Sequence, residues 1–204
     1  MWALVESGSV TQIYTRPKAI TVGEVNYPAN IFMLWSASEL EAMGIYEVVI
    51  DNTNLKSNEY YINTNQSFDF ADGVVTASYG TATAKPMDDV LFTAQAIDDV
   101  TDEDGNVTRG LKYNHKQVIN SQAGGTLQST DWMVVRAAEG GTAVPSDIAT
   151  WRAAVRTKSN DMCTAIDNAA DVDALAALYE YVNTGTEESP VYTRPLGEFP
   201  EIGE

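Results

Sequence analysis

The hydrophobic pattern of this chain changes period part-way along, and that change limits the folds open to it more than any other feature. Up to about residue 96, apolar and polar residues alternate in short runs broken by turn residues, the pattern of half-buried strands. From 111 onward helix formers dominate. Between the two, residues 88–104 carry seven acids and no base. The expected fold is therefore α+β. An antiparallel β-rich domain covers 1–96, an exposed acidic loop 97–110, a helical domain 111–183 and an extended C-terminal arm 184–204. With 204 residues there is enough chain to bury a core in one domain or two small ones.

Local signals fill in the β-rich part. Trp2, Leu4, Val10 and Tyr14 alternate with other side chains around Glu6-Ser7-Gly8-Ser9, which predicts a hairpin, and Pro17 ends it. Ser38 and Glu41 have capping-box spacing and Gly44 supplies a left-handed stop, so a short helix is expected over 38–43. Strands are expected at 45–50, 60–63 and 73–84, the last after a tight bend at Asp72-Gly73. Tyr60, Tyr61, Phe68 and Phe70 read as core, with stacking on a sugar as the alternative.

In the second half Gly124-Gly125 and Gly140-Gly141 read as breaks, which predicts helices over 111–122, 130–138, 146–168 and 171–183. The helix from 146 is the best marked, with Pro145 at its start and Asp147 in its first turn. Ile148, Trp151, Val155, Met162 and Ile166 form a stripe along it. That stripe suits the inner face of a hairpin closed by Val172, Leu175 and Leu178, or a short seam between subunits. Residues 184–204 have three prolines and no helical period.

Charge excludes some partners. Twelve basic residues face twenty-nine acids, a net charge of −17, and such a surface repels phosphate backbones, so no nucleic acid is expected as a partner. No membrane is expected either: no apolar run approaches the roughly 20 residues a spanning helix needs, and MWALVESGSV has no signal-peptide pattern. Cys163 and His115 are single, so neither a disulfide nor a Cys/His zinc site can be assembled within the chain. Cys163 reads as a small buried or half-buried hydrophobe and His115 as a surface or interface residue. Asp98, Asp99, Asp102, Asp104 and Asn106 offer oxygens to calcium. Val100 and Leu111 occupy positions where a calcium-hand loop needs ligands, so the segment reads as a solvated loop rather than a cation site. No nucleophile elbow, phosphate loop, dinucleotide fingerprint or zinc-protease helix is present. No catalytic, cofactor or metal site is expected.

Several blocks are familiar in order along the chain: MWALVESGSVTQIY, YPANIFMLWSASELEAMGIYEV, DGVVTASYGTATAKPMDD, STDWMVVRAAEGGTAVPSDIATWRAAVRTKSNDM and ADVDALAAL. Together they resemble small tail-fibre assembly and tail-accessory proteins of tailed bacteriophages. The acidic insertion near 97–108 and the residues beyond 184 lie outside the common pattern. The most specific piece is Asp131-Trp132, Arg136, Glu139-Gly140-Gly141, Val144-Pro145, Trp151 and Arg152. It reads as a structural signature in which Trp132 anchors a short helix to the hairpin, the glycines reverse the chain, Pro145 starts the next helix and Arg136 pairs with an acid or carbonyl.

The resemblance implies a non-enzymatic role, binding to a trimeric tail fibre either during assembly or permanently in the virion; the leading expectation is a virion structural or adaptor protein of the tail, tail fibre or baseplate, made in the bacterial host cytoplasm. It would be a homo-oligomer or bind a trimeric partner. An assembly chaperone that stays in the cytoplasm is the alternative, and a glycan-cleaving tail component a lesser one. Tyr-Thr-Arg-Pro occurs at 14–17 and again at 192–195. The attachment contact is accordingly expected at Tyr192, Arg194, Pro195, Leu196 and Phe199, on an arm that either reaches a partner or folds back on its own domain.

Overall fold

A computed structural model describes residues 1–91 and 107–203. The chain forms two compact units, Met1–Thr83 and Ala84–Glu204. This boundary precedes the change in sequence pattern, because residues 86–91 already belong with the helices. The Leu111 and Lys112 amides donate to the carbonyls of Pro86 and Met87, and β10 (Val90–Leu91) pairs antiparallel with β11 (Val107–Thr108). The acidic residues 97–106, with the candidate ligands Asp98, Asp99, Asp102, Asp104 and Asn106, lie outside the described residues.

In the first unit, β1 (Trp2–Glu6) and β2 (Ser9–Tyr14) form the expected hairpin. Ser7 and Gly8 both have positive φ, 52° and 78°, the backbone that a two-residue loop needs if its twist is to match the strands. β3 (Ile20–Val22) and β4 (Val25–Tyr27) make a second small hairpin. Two short helices follow, α1 (Ile31–Leu34) and α2 (Ala37–Glu41). The capping box uses Ser36 and Glu39 rather than Ser38 and Glu41; both pairs have the spacing, and the helix starts at the earlier one. Gly44 stops the chain as expected, at φ 79°, and a side chain there would also strike the carbonyl of Val5.

Strand β5 (Ile45–Asp51) is followed by the two-residue β6 (Tyr61–Ile62), then β7 (Gln66–Ala71) and β8 (Val74–Tyr79), with the two-residue β9 (Thr83–Ala84) at the boundary. β7 and β8 are joined through Asp72 and Gly73, both at positive φ. The sheet order is β2-β1-β5-β8-β7. It is mixed, not antiparallel: β8 runs parallel to β5, with Val48 opposite Val75, because the β7–β8 hairpin joins the sheet by its second strand. The outer strands β2 and β7 approach each other, so the sheet curls. Val10, Ile13, Phe68 and Phe70 from those edges close over Ala3, Val48, Val75 and Ala77. On the opposite face Leu4, Tyr14 and Ile45 pack with Ile20, Ile31, Phe32 and Leu40.

The second unit is built on two long helices, α3 (Leu111–Ala138) and α4 (Ser146–Asp167), which pack along each other. α3 runs unbroken through Gly124-Gly125, where a break was expected. Two helical glycines cost about 2 kcal/mol together, and the flanking turns that bury Ile119 and Ala123, with Leu127 packed on Trp151 and Val155, hold the helix through them. At its end Glu139 is followed by Gly140 at φ 83°. The Gly140 amide donates to Ala137 and the Gly141 amide to Arg136, so the reversal expected at this glycine pair is a Schellman motif. α5 (Val172–Ala177) is capped by Asp171 and ends well before 183, since β12 (Val182–Asn183) follows and pairs with β13 (Tyr192–Thr193).

Candidate interaction surfaces

The residues expected to form an attachment arm do not form an extended tail. Asn183 and Thr184 bond residue 191 through the β12–β13 hairpin, and the Leu196 amide donates to the Leu178 carbonyl. Leu196 is 2% exposed, Phe199 packs on Ala123, Trp151 and Val155, and the Trp151 indole donates to the Pro200 carbonyl at 2.8 Å. Arg194 bonds Glu198 at 2.8 Å and the Gly197 carbonyl at 3.1 Å. Of the five residues, Tyr192, 63% exposed, and Pro195 face solvent, whereas Leu196, Phe199 and Arg194 are engaged in their own unit. The prolines that exclude a helix here still permit a hairpin and a packed return. The two Tyr-Thr-Arg-Pro copies differ accordingly: Tyr14 is buried and Tyr192 is not.

The structural signature is divided. Arg152 is buried on α4. Its guanidinium donates to the Leu127 carbonyl at 2.9 Å, to the Thr130 hydroxyl and to Asp131 at 2.7 Å, so Asp131 and Arg152 join the two long helices. Trp151, 8% exposed, is a core residue. Trp132 is not an anchor: it is 55% exposed, and the Arg136 guanidinium lies 4.8 Å over its ring. Arg136 therefore stacks on Trp132 rather than pairing with an acid, and its Nε has no hydrogen-bond partner. The reason is register, since Ala123, Leu127 and Thr130 take the face of α3 that meets α4 and leave Trp132 outside it.

Other chemistry-bearing residues are absorbed into packing. His115 is buried, with its Nδ1 2.9 Å from the Tyr179 hydroxyl, rather than lying at the surface. Burial pushes the Cys163 thiol up, which makes it a poor nucleophile near neutral pH. The adjacent acids Asp88 and Asp89 face Lys112 and Arg109, at 3.7 Å and 2.6 Å. The Gly110 amide, and then Arg109, hold the Asp89 carboxyl below its ordinary range. Asp167 at 2.7 Å raises Lys116. Among the described residues no three His, Cys, Asp or Glu side chains are gathered as a metal ion requires, and no helix is long and apolar enough to cross a membrane.

What the molecule does offer is an apolar projection that the sequence reading passed over. Met33 and Leu34, 70% and 73% exposed, stand out from α1, while the preceding Ile31 and Phe32 are buried in the first unit's core. The signal was available: Ile31-Phe32-Met33-Leu34-Trp35 is five apolar residues in a row, and a helix of one turn can turn only part of such a run inward. The projection is held by tilted ring contacts of Phe32 with Trp2 at 4.9 Å and with Tyr14 at 5.6 Å, and by Trp35 against Tyr27 at 5.8 Å. The Ser36–Glu39 capping box fixes the chain as it leaves, and the Ser36 bonds hold the Glu39 carboxyl below its usual range. Comparison of the chain with family models, with curated proteins and with solved structures finds no match.

Proposed function

We propose that this protein is a non-enzymatic structural or adaptor component of a bacteriophage tail, tail fibre or baseplate, acting as a homo-oligomer or on a trimeric partner in the virion. The observation that carries the docking role is the α1 projection. Exposed apolar side chains on an anchored element are what a protein needs in order to bind another protein. In a chain of charge −17, a few apolar contacts within an acidic surface also limit association with the wrong partner. The resemblance of the sequence blocks to phage tail-accessory proteins supplies the setting.

Mass spectrometry of purified virions tests this reading. A structural component is present at fixed stoichiometry to the fibre or baseplate proteins, and Met33→Ser/Leu34→Ser removes it from particles while the isolated protein stays folded. A chain bound to fibre trimers in the lysate but missing from virions is an assembly chaperone instead. Absence from both overturns the assignment to tails.

A further inference from the structure

Beside the α1 projection lies a hollow of about 280 Å³ whose wall includes Trp2, Phe32 and Trp35 and whose rim carries Glu41 and Glu47. We propose that it receives an arginine or lysine side chain carried on a segment of a partner protein.

The chemistry of the lining selects a cation. Three of the lining residues, Trp2, Phe32 and Trp35, are aromatic, and aromatic rings attract guanidinium and ammonium groups. Two carboxylates on the rim add charge of the right sign, and among the described residues neither is recorded in an ion pair or a side-chain hydrogen bond. The protein's basic residues lie elsewhere in the sequence: none occurs between Lys18 and Lys56, the stretch that supplies every lining residue except Trp2. No basic side chain lines the hollow: Lys18, whose Nζ lies 5.1 Å over the adjoining Tyr14 ring, is not among its lining residues, and its acids favour a basic visitor over a second copy of this acidic chain.

The placement of Glu47 points the same way. Trp2 lies directly opposite Glu47 in the β1–β5 ladder, and Leu4 opposite Ile45. Side chains two apart on a strand share a face. Glu47 thus stands on the face that carries the buried Ile45 and Leu4, where alternation calls for an apolar residue. It lines the hollow together with Trp2 and Phe32, so an exposed acid stands where the strand pattern calls for core.

Size and surroundings identify the carrier. At about 280 Å³ the hollow has room for one long basic side chain. Met33 and Leu34 project from the same short helix that supplies Phe32, which gives a polypeptide an apolar lip for the residues flanking its cation. A free amine would leave that lip uncovered. The inference rests on the docking role proposed above, and the two fail separately. Incorporation into virions without cation binding removes only the pocket, and cation binding without incorporation removes only the tail assignment.

The test is an NMR titration of the full ¹⁵N-labelled chain with the peptide acetyl-Ser-Leu-Arg-Leu-Ser-amide, its lysine form and its norleucine form, following the Trp2 and Trp35 indole signals. The arginine and lysine peptides should shift both signals saturably, and the uncharged norleucine peptide should bind about tenfold more weakly. Glu41→Gln/Glu47→Gln, two surface changes that leave the core intact, should weaken the arginine peptide about fivefold while the resting spectrum is kept. Equal binding of the norleucine peptide overturns the cation assignment, and an unchanged affinity in the double variant overturns its placement. Arginine amide binding as tightly as the peptide overturns the polypeptide carrier. No shift at low millimolar peptide overturns the proposal as a whole.

Discussion

Replacing Gly124 and Gly125 together by alanine should stabilise the second unit. Each glycine lies inside α3 with no positive φ, so alanine adopts the same backbone without strain. A Cβ built at either position meets nothing within 4 Å, so no steric cost offsets the gain. Alanine in a helix interior is favoured over glycine by about 1 kcal/mol, and adjacent helical side chains point apart, so the two gains add to about 2 kcal/mol. An unfolding entropy near 2.1 cal/mol/K per residue over a unit of about 120 residues turns this into a rise of about 8 °C in its melting temperature. Differential scanning calorimetry reads the shift, and circular dichroism at 222 nm should show unchanged helix content at 20 °C. Gly110→Ala is the control with the opposite sign, because a Cβ there collides with the backbone of Met87 and Asp88. An unchanged or lower melting temperature for the double alanine variant would refute the continuous α3 and restore the break that the glycine pair suggests.

Trp132→Ala should cost less than about 1 kcal/mol, whereas Trp151→Ala should cost about 3–5 kcal/mol, as urea denaturation would show; equal losses would contradict their different burial. Deleting 192–204 removes β13, the buried Leu196 and the Trp151–Pro200 bond, so thermal melts should show a large fall in stability. A melting temperature near that of the intact chain would restore the free-arm reading. The carboxyl of Asp89 is depressed in the folded protein, so its contribution is present above the unfolded value of about 3.9 and is lost as pH falls through the folded value. Asp89→Asn should therefore lower stability at pH 6 and flatten its decline between pH 5 and 3. A slope as steep as that of the unmodified chain would count against the Gly110 and Arg109 bonds as its cause.

Local chemistry was legible wherever a few neighbouring residues decide the outcome. Ser7-Gly8 and Asp72-Gly73 bring the positive φ that tight hairpins need, Gly44 and Gly140 stop helices, and the stripe Trp151, Val155, Met162 and Ile166 faces a core. These follow from torsional preference and side-chain period, which act over a few residues. Pairing partners did not follow. That β8 joins β5 in parallel depends on which edge accepts the β7–β8 hairpin, and strand alternation is the same either way. The glycine pair in α3, the exposure of Trp132 and the return of residues 184–203 were decided in the same manner, by which faces the long helices turn toward each other and toward the chain end. The α1 projection was half visible, as an apolar run too long for one helical turn. Its meeting with Glu41 and Glu47 required the β1–β5 register, since only that pairing sets Trp2 opposite an acid forty-five residues away.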